Sequence, residues 1–410
     1  MKKRACRFCD TRLNISFVDL GMSPLSNAYL PPEKLQEKEN FYPLHAYVCE
    51  KCFLVQLEEF ETPEQIFGDY AYFSSYSESW LKHARDYTKH MISRFALSAQ
   101  HQVVEIASND GYLLQYFKAA GIPIMGIEPA ANVAKAAQQK GIPTIVAFFG
   151  QQTARALAGE GKQADLLIGN NVLAHVPDLL DFVSGMKILL KPQGIITMEF
   201  PHLLRLIQEN QFDTIYHEHF SYFSLTTVNK VFTAQGLTLF DVEELPTHGG
   251  SLRIYARHTE DRTKPVDLRV TKLLTREETA GIRQIRTYQT FGEQVKETKR
   301  KILKFLIRFK EEGRTIVGYG APAKGNTLLN YCGIGTDFLD YTADRSPFKQ
   351  GLYLPGTHIP VESPDKIRET KPDYVIILPW NLKDEVAEQM AYIREWGGKF
   401  IVLIPKVTVI

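Results

Sequence analysis

The sequence predicts an α/β protein in which a small zinc-binding domain precedes a doubly wound sheet and a second α/β unit. Two Cys-x2-Cys pairs near the start of the chain predict the metal site. From residue 102 onwards, short apolar strand patterns alternate with helical patterns, which is typical of a mostly parallel sheet with helices on both faces. The alternation stops over a charged helical stretch and resumes at residue 314. We therefore expect domains at residues 1–68, 69–264 and 265–410.

The bulk composition is that of an ordinary globular chain. Its 410 residues suffice for two or three full-sized cores, with 44% hydrophobic and 23% charged residues. The net charge of +1, without a block of like charges, argues against a nucleic-acid-binding protein. No apolar run reaches the ~18 residues of a membrane span, and the N-terminus lacks the apolar core of a signal peptide. We expect a cytoplasmic protein that binds neither nucleic acid nor membrane, and the sequence leaves its oligomeric state open.

The first candidate site consists of four cysteines, Cys6, Cys9, Cys49 and Cys52. Each two-residue spacing lets both thiolates of a pair reach one metal ion, and two pairs complete a tetrahedral zinc site. Two disulfides or four unrelated thiols are the alternatives, and a reduced compartment favours zinc. Four thiolates leave no open coordination position, so we expect this Zn²⁺ to serve folding and not catalysis.

The remaining elements follow in order along the chain. Residues 1–68 are rich in proline and predict a loop-rich domain, and residues 77–99 carry apolar positions at helical spacing. Seven strands are predicted for the first sheet, at residues 102–107, 123–127, 144–147, 164–169, 194–200, 237–242 and 252–257. The last two have no helix between them and should pair antiparallel. Residues 265–312 predict a connector of one or two helices. The segments RTIVGYG, FLDYTADR, DYVIILPW and KFIVLIPK then predict the strands of a Rossmann-like unit.

Residues 212–224, which we term the acid–base segment, carry four polar side chains in consecutive positions, Tyr216, His217, Glu218 and His219. Acid and base groups in aromatic surroundings suit proton transfer in a pocket that excludes water. In a regular strand His217 and His219 would share one face, whereas a turn brings Tyr216 and His219 together.

A candidate cofactor site follows the first predicted strand, at Glu105, Ala107, Asn109, Asp110 and Gly111. Small residues in such a turn let backbone N–H groups approach a ligand, and Glu105 can accept from a cationic amino group. The turn has fewer glycines than GxGxxG and suits a pyrophosphate less well. Glu128 ends the second strand, where an acid can hold both ribose hydroxyls, and Asn170 and Asn171 end the fourth.

These motifs resemble those of the class I S-adenosylmethionine-dependent methyltransferases. The resemblance rests on EIASNDG, the acid Glu128, the strand end at Asn170 and Asn171, and the LKPQG turn. Ala107 and Asn109 depart from the glycines that are usual there. Over nearly its whole length, the chain also resembles the three-domain nucleotide-sugar C-methyltransferases. The two Cys-x2-Cys pairs, EIASNDG, YHEHFSYFS, HGGSLR and GYGAPAKGNTLLN occur in the order seen in that family.

The resemblance implies methyl transfer from S-adenosylmethionine to a carbon of a nucleotide-linked 4-keto-6-deoxy sugar. dTDP is the expected nucleotide and C3 the expected carbon. A ring carbon becomes a nucleophile only after it loses a proton, which the neighbouring ketone permits by forming an enolate. The resemblance makes His219 the base and completes the active site with Tyr216, Glu218 and His175.

An imidazole pKa near ~6.5 is far below that of the ring proton, so the enolate needs preorganised donors. We assign this role to His175, whereas Tyr216 helps to place the sugar and Glu218 orients the imidazole or raises its basicity. These roles favour a turn or irregular loop, and we predict that residues 215–220 are not an extended strand. For His217 we expect a position away from the chemistry.

Three clusters are expected to bind the sugar nucleotide. Hydroxyl-bearing side chains lie between the first two predicted domains, at Tyr70, Tyr72, Ser74 and Ser75. The HGGSLR turn offers His248 and Gly249, and the resemblance lets Lys324 and Asn326 reach the phosphates from a helix start. A packed aromatic linker, a glycine hairpin and a structural strand–turn–helix are the respective alternatives without a ligand.

Other functions remain open at this point. Gly318-x-Gly320-x-x-Ala323 formally fits the dinucleotide fingerprint, with Asp344 as the ribose acid, but Pro322 interrupts it. A metal site at His202, His217 and His219 lacks the HExxH spacing. A zinc-containing RNA methyltransferase would need a basic, aromatic-rich stripe that the sequence lacks. A non-catalytic sugar-nucleotide-binding protein is the last alternative.

Overall fold

The computed structural model describes residues 4–62 and 74–410. Three antiparallel strands build the N-terminal domain, β1 (Ile15–Ser23), β2 (Tyr42–Val48) and β3 (Val55–Leu57). A fourth strand of this sheet comes from the acid–base segment, where Ser221–Tyr222 pairs antiparallel with β3. The expectation of a loop-rich domain therefore misses a sheet. Three of its strands lie within residues 15–57, and only the fourth comes from far along the chain.

The second sheet contains seven strands in the order β10-β11-β8-β7-β4-β5-β6. Its strands are β4 (Val103–Ile106), β5 (Ile124–Ile127), β6 (Thr144–Ile145), β7 (Ala164–Asn170), β8 (Leu190–Pro201), β10 (Leu237–Leu245) and β11 (Ser251–His258), and the short strand Ser221–Tyr222 is β9. Its helices are α1 (Glu78–Phe95), α2 (Leu114–Ala119), α3 (Ala131–Gln139), α4 (Gln151–Gly159), α5 (Leu179–Leu189), α6 (Leu203–Gln208) and α7 (Leu225–Ala234). Strand β11 runs antiparallel to both of its neighbours, which confirms the predicted antiparallel pairing with β10.

The connector consists of three helices in the described chain, α8 (Leu268–Thr279), α9 (Ile285–Gln289) and α10 (Phe291–Glu311), and not of one or two. The first break follows Ala280, where Gly281 adopts a φ of +84° that ends a helix readily. The amphipathic pattern continues across this break, which is why the sequence suggests fewer helices.

The C-terminal sheet has six strands in the order β14-β13-β12-β15-β16-β17. Its elements are β12 (Ile316–Tyr319), α11 (Ala323–Cys332), β13 (Thr342–Ala343), β14 (Val361–Glu362), α12 (Asp365–Thr370), β15 (Tyr374–Ile377), α13 (Lys383–Gln389), β16 (Lys399–Val402) and β17 (Thr408–Val409). The four predicted strands are present. Strands β14 and β17, of two residues each, were not predicted.

One hydrophobic core joins the N-terminal sheet to the C-terminal unit. Phe17 of β1 stacks on Phe291 of α10 with ring centroids 4.5 Å apart, and both side chains are buried. Phe212 and Ile215 of the acid–base segment belong to the same core. Burial of one such side chain contributes roughly 1.5–3 kcal/mol, so the shared core fixes this segment where the N-terminal sheet, the seven-stranded sheet and the C-terminal unit meet. None of the described helices is both long and apolar enough to cross a membrane.

Candidate active site

The four predicted metal ligands converge. The Sγ atoms of Cys6, Cys9, Cys49 and Cys52 all lie within 4.8 Å of one another, and none of these cysteines forms a disulfide. The Cys6–Cys52 and Cys9–Cys49 sulfur distances are both 3.5 Å. Sulfurs around a tetrahedral ion with ~2.3 Å zinc–sulfur bonds lie about 3.8 Å apart, so the cluster fits zinc. Among the described residues 4–62 and 74–410, His202, His217 and His219 do not lie close enough together to bind one metal ion.

The acid–base segment forms turns in front of β9. A 3-10 turn spans Phe212–Thr214, and residues 215–220 contain no strand, which confirms the prediction. The amide of His219 donates to the carbonyl oxygen of Tyr216 at 2.9 Å, which closes a tight turn. This turn places the Tyr216 and His219 rings side by side, with centroids 4.0 Å apart.

The hydrogen bonds of His219 define its tautomer. Its Nδ1 lies 3.0 Å from the carbonyl oxygen of Thr214, which can only accept, so Nδ1 carries the proton. Its Nε2 is then an acceptor and lies 2.7 Å from the Tyr216 hydroxyl, which donates to it. Burial lowers the pKa of His219 well below 6.5, and the nearby His175 lowers it further. His219 is therefore a neutral imidazole whose unprotonated nitrogen, Nε2, accepts a hydrogen bond from the Tyr216 hydroxyl.

Two other ionisable side chains flank this base. The His175 ring lies edge-on to that of His219, with centroids 4.8 Å apart, and burial lowers its pKa to about 4. Glu218 accepts from the Asn27 side-chain amide at 2.7 Å, and burial raises its pKa to about 7. His175 and the acid–base segment thus together present a neutral imidazole, a neutral base and a carboxyl group that titrates near neutrality.

His217 lies apart from these groups. Its Nε2 is 3.3 Å from the carbonyl oxygen of Pro43 in the N-terminal sheet, and its ring packs edge-on against Tyr42 at 5.9 Å. It is buried but does not line the cavity described next. The structure therefore separates the two histidines that the sequence places two residues apart.

A cavity of about 570 Å³ joins the candidate cofactor and catalytic residues. The sequence-predicted side chains that line it are Ser74, Ala107, Asn109, Glu128, Asn170, Asn171, His175, Tyr216, Glu218, His219, His248 and Lys324. They come from the seven-stranded sheet, the acid–base segment and the C-terminal unit. A volume of this size suits small molecules held between domains.

The cofactor turn keeps a left-handed backbone without the usual glycines. Ala107 and Asn109 have φ angles of 55° and 50°, which costs roughly 1–2 kcal/mol for Ala107 and less for Asn109, because asparagine tolerates the left-handed region. Glu128 offsets part of this cost, because its two carboxylate oxygens accept from the backbone N–H groups of Asn109 and Ala130 at 2.9 Å each. Its carboxylate is thereby fixed at the cavity wall.

Three predicted cofactor residues lie outside the cavity. Glu105 is buried within the sheet, where burial raises its pKa well above the usual range. Asp110 accepts from the Lys140 ammonium group at 3.0 Å. Gly111 has a φ of +77°, and a Cβ there would lie 2.1 Å from Ile142. These residues shape the turn but do not face the cavity.

Several predicted substrate residues also lie elsewhere. Ser75 accepts from Lys140 at 3.0 Å, and the Asn326 amide donates to the Ser26 carbonyl oxygen at 2.6 Å. Gly249 packs against Trp380, which a Cβ would meet at 2.4 Å. Tyr70 and Tyr72 fall outside the described residues.

The dinucleotide interpretation of the C-terminal unit fits the structure poorly. Asp344 accepts from the backbone N–H groups of Ala321 and Ser346, at 2.7 and 2.8 Å. One oxygen holds the loop that follows β12 and the other holds its own loop, and Asp344 does not line the cavity. Lys324 does line the cavity, donates to Asn381 at 2.6 Å, and has a pKa lowered by burial to about 8.

Several cavity residues were not predicted from the sequence, among them Asn27, Trp80, Tyr112 and Lys349. Lys349 follows a parallel strand of the C-terminal sheet, and the general position of ligands at the carboxyl ends of such strands could have suggested it. Asn27 lies in a loop of the N-terminal domain without a distinguishing sequence pattern. Its role depends on a contact with Glu218 that only the fold creates.

Comparison with known families divides the chain into three matched regions. Residues 6–67 match a zinc binding domain, residues 80–242 a methyltransferase domain, and residues 246–405 the C-methyltransferase C-terminal domain. C-methyltransferase NovU of Streptomyces niveus is 35% identical over 407 residues, which cover 99% of this chain and 96% of that protein.

More distant similarities involve only part of the chain. A ubiquinone biosynthesis O-methyltransferase of Bartonella tribocorum is 27% identical over 96 residues, covering 23% of this chain and 39% of that protein. The structure of magnesium protoporphyrin IX methyltransferase from Synechocystis with bound S-adenosylmethionine is 15% identical. The aligned region covers 47% of this chain and 88% of that protein's chain, with a TM-score of 0.34.

Proposed function

The chain belongs to the C-methyltransferase family whose members carry a zinc binding domain, and we propose that it methylates a nucleotide-linked 4-keto-6-deoxy sugar at C3. It is an S-adenosylmethionine-dependent C-methyltransferase with a zinc site. The proposed substrate rests on one observation: the same cavity is lined by Glu128, by the neutral His219, and by two lysines of the C-terminal unit, Lys324 and Lys349.

The cofactor half of the cavity suits S-adenosylmethionine, which supplies an electrophilic methyl group when bound. Glu128 presents a carboxylate at the end of β5, where ribose hydroxyls can donate to it. The left-handed turn at Ala107 and Asn109 opens the backbone toward the same space. Tyr112 and Phe149 add aromatic lining that suits an adenine ring.

The catalytic half suits removal of a proton beside a ketone. In our proposal, the Tyr216 hydroxyl first gives up its hydrogen bond to Nε2 of His219 and contacts the sugar instead. Nε2 then takes the ring proton. The carbonyl oxygen of Thr214 holds Nδ1–H and so keeps Nε2 as the basic atom. Ionised Glu218 next to His219 balances the charge that the imidazolium gains. His175 remains neutral and donates to the oxygen on which enolate charge develops.

Two lysines of the C-terminal unit give the cavity a region that suits the nucleotide diphosphate. Lys324 and Lys349 both line it, and their ammonium groups can pair with phosphate oxygens. Burial lowers the pKa of Lys324 to about 8, so a bound anion would favour its charged form. We propose that the C-terminal unit holds the nucleotide while the acid–base segment acts on the sugar.

The test is incubation of the purified protein with S-adenosylmethionine and a panel of nucleotide-linked sugars. The panel varies the nucleotide among dTDP, CDP and GDP and the C3 substituent between amino and hydroxyl. A sugar without the 4-ketone is the matched control. We expect a gain of one methyl group, located at C3 by NMR, only when the ketone is present. Methylation of the control at an equal rate, or at oxygen alone, would contradict the enolate mechanism.

A further inference from the structure

The C-terminal unit contacts the backbone that holds the base. The indole N–H of Trp380 donates to a carboxylate oxygen of Asp213 at 2.6 Å, and both residues are buried. The hydroxyl of Thr327, in helix α11, donates to the carbonyl oxygen of Ile215 at 3.1 Å. These two bonds bracket Thr214, whose own carbonyl oxygen accepts from Nδ1 of His219.

The bond to Asp213 is costly to lose. Asp213 is fully buried, and its other carboxylate oxygen has no hydrogen-bond partner among the described residues. The Trp380 indole is thus its main neutral donor, and Lys324 is a nearby cation that favours its ionised form. A buried carboxylate that loses a donor is strongly destabilised, so the backbone around it would shift to reach another partner.

We infer that Trp380 and Thr327 are positioning residues, which fix the Thr214 carbonyl oxygen and through it the reactive tautomer of His219. The C-terminal unit then has two roles, because it binds the nucleotide and also fixes the tautomer of the catalytic base. If the Thr214 carbonyl oxygen moved away, Nδ1 would lose its acceptor and the imidazole could carry its proton on Nε2, the atom that must be basic. The inference rests on the proposed role of His219.

The experiment uses Trp380→Phe, which removes the indole N–H and keeps an aromatic ring. Trp396→Phe is the matched control, because the Trp396 indole donates to the Pro372 carbonyl oxygen at 3.0 Å in the same unit, away from the cavity. We expect Trp380→Phe to lower kcat roughly 10- to 100-fold, while the Kd for S-adenosylmethionine and the KM for the sugar stay within about twofold. Trp396→Phe should retain wild-type kcat.

A second variant and a spectroscopic readout separate positioning from folding. Thr327→Val removes the other bond with little change in volume and should lower kcat in the same way. Nitrogen NMR of ring-labelled histidine, assigned with His219→Gln, should show protonated Nδ1 in the wild type. Both variants should show a mixture of tautomers.

Two results would overturn the inference. One is a wild-type kcat in either variant, and the other is an unchanged His219 tautomer in both. A wild-type protein that methylates no keto sugar would instead refute the proposed function. The NMR experiment would still test the tautomer in that case, so the two failures are distinguishable.

Discussion

The Glu128→Gln variant tests the proposed contact between the Glu128 carboxylate and the ribose of S-adenosylmethionine. Each oxygen of the Glu128 carboxylate accepts one backbone N–H, from Asn109 and Ala130, at 2.9 Å. A glutamine can accept at only one of these positions, and its NH₂ group faces the other donor. In our proposal the ribose hydroxyls donate to this same carboxylate, and a hydrogen bond to a charged group contributes roughly 1.5–3 kcal/mol. At about 1.4 kcal/mol for each factor of ten, we expect the Kd for S-adenosylmethionine to rise roughly 10- to 100-fold.

Isothermal titration calorimetry with S-adenosylmethionine and with S-adenosylhomocysteine measures this change directly. Glu160→Gln, at an exposed position after helix α4, is the control and should bind like the wild type. Far-UV circular dichroism establishes that both variants are folded. If Glu128→Gln binds the cofactor within about twofold of the wild type while folded, our placement of the ribose at Glu128 is refuted.

Two further perturbations test the zinc site and the acid–base segment. Cys49→Ser should lose zinc and should lower the Tm and kcat together. The reason is that β3 follows the ligand Cys52 and pairs with β9 of the acid–base segment. Full activity without bound metal would contradict this link. Burial raises the pKa of Glu218 to about 7, so this carboxyl is neutral below that pH and ionised above it. Activity should therefore rise with pH through about 7 if ionised Glu218 balances the imidazolium, and Glu218→Gln should flatten the rise; an identical pH profile in the variant would exclude this role.

Local sequence patterns predict much of the fold. The strands of the large sheet other than the two-residue β6 are long enough to show an apolar pattern, and the missing helix between β10 and β11 predicts their antiparallel pairing. The turn at residues 215–220 follows from chemistry, because only a turn brings Tyr216 and His219 into contact. The cysteine spacing likewise predicts the metal cluster without any knowledge of the fold.

The remainder depends on contacts between distant parts of the chain. Strand β9 has two residues and no period, and its pairing with β3 arises only when the N-terminal domain packs against the acid–base segment. Glu105 and Asp110 have the right chemistry for a ligand, but Glu105 is buried within the sheet and Asp110 accepts from Lys140. The bond from Trp380 to Asp213 likewise depends on the shared core, which no local pattern reveals.

In our proposal, neutral His219 removes a proton from the carbon beside the ketone. The most direct measurement is deuterium exchange at C3 of the keto sugar in D₂O, with S-adenosylhomocysteine bound so that no methyl transfer occurs. We predict exchange with the wild type and a loss of at least about 100-fold in His219→Gln, with unchanged affinity for S-adenosylmethionine. Exchange by His219→Gln at the wild-type rate would show that another group is the base and would contradict the account.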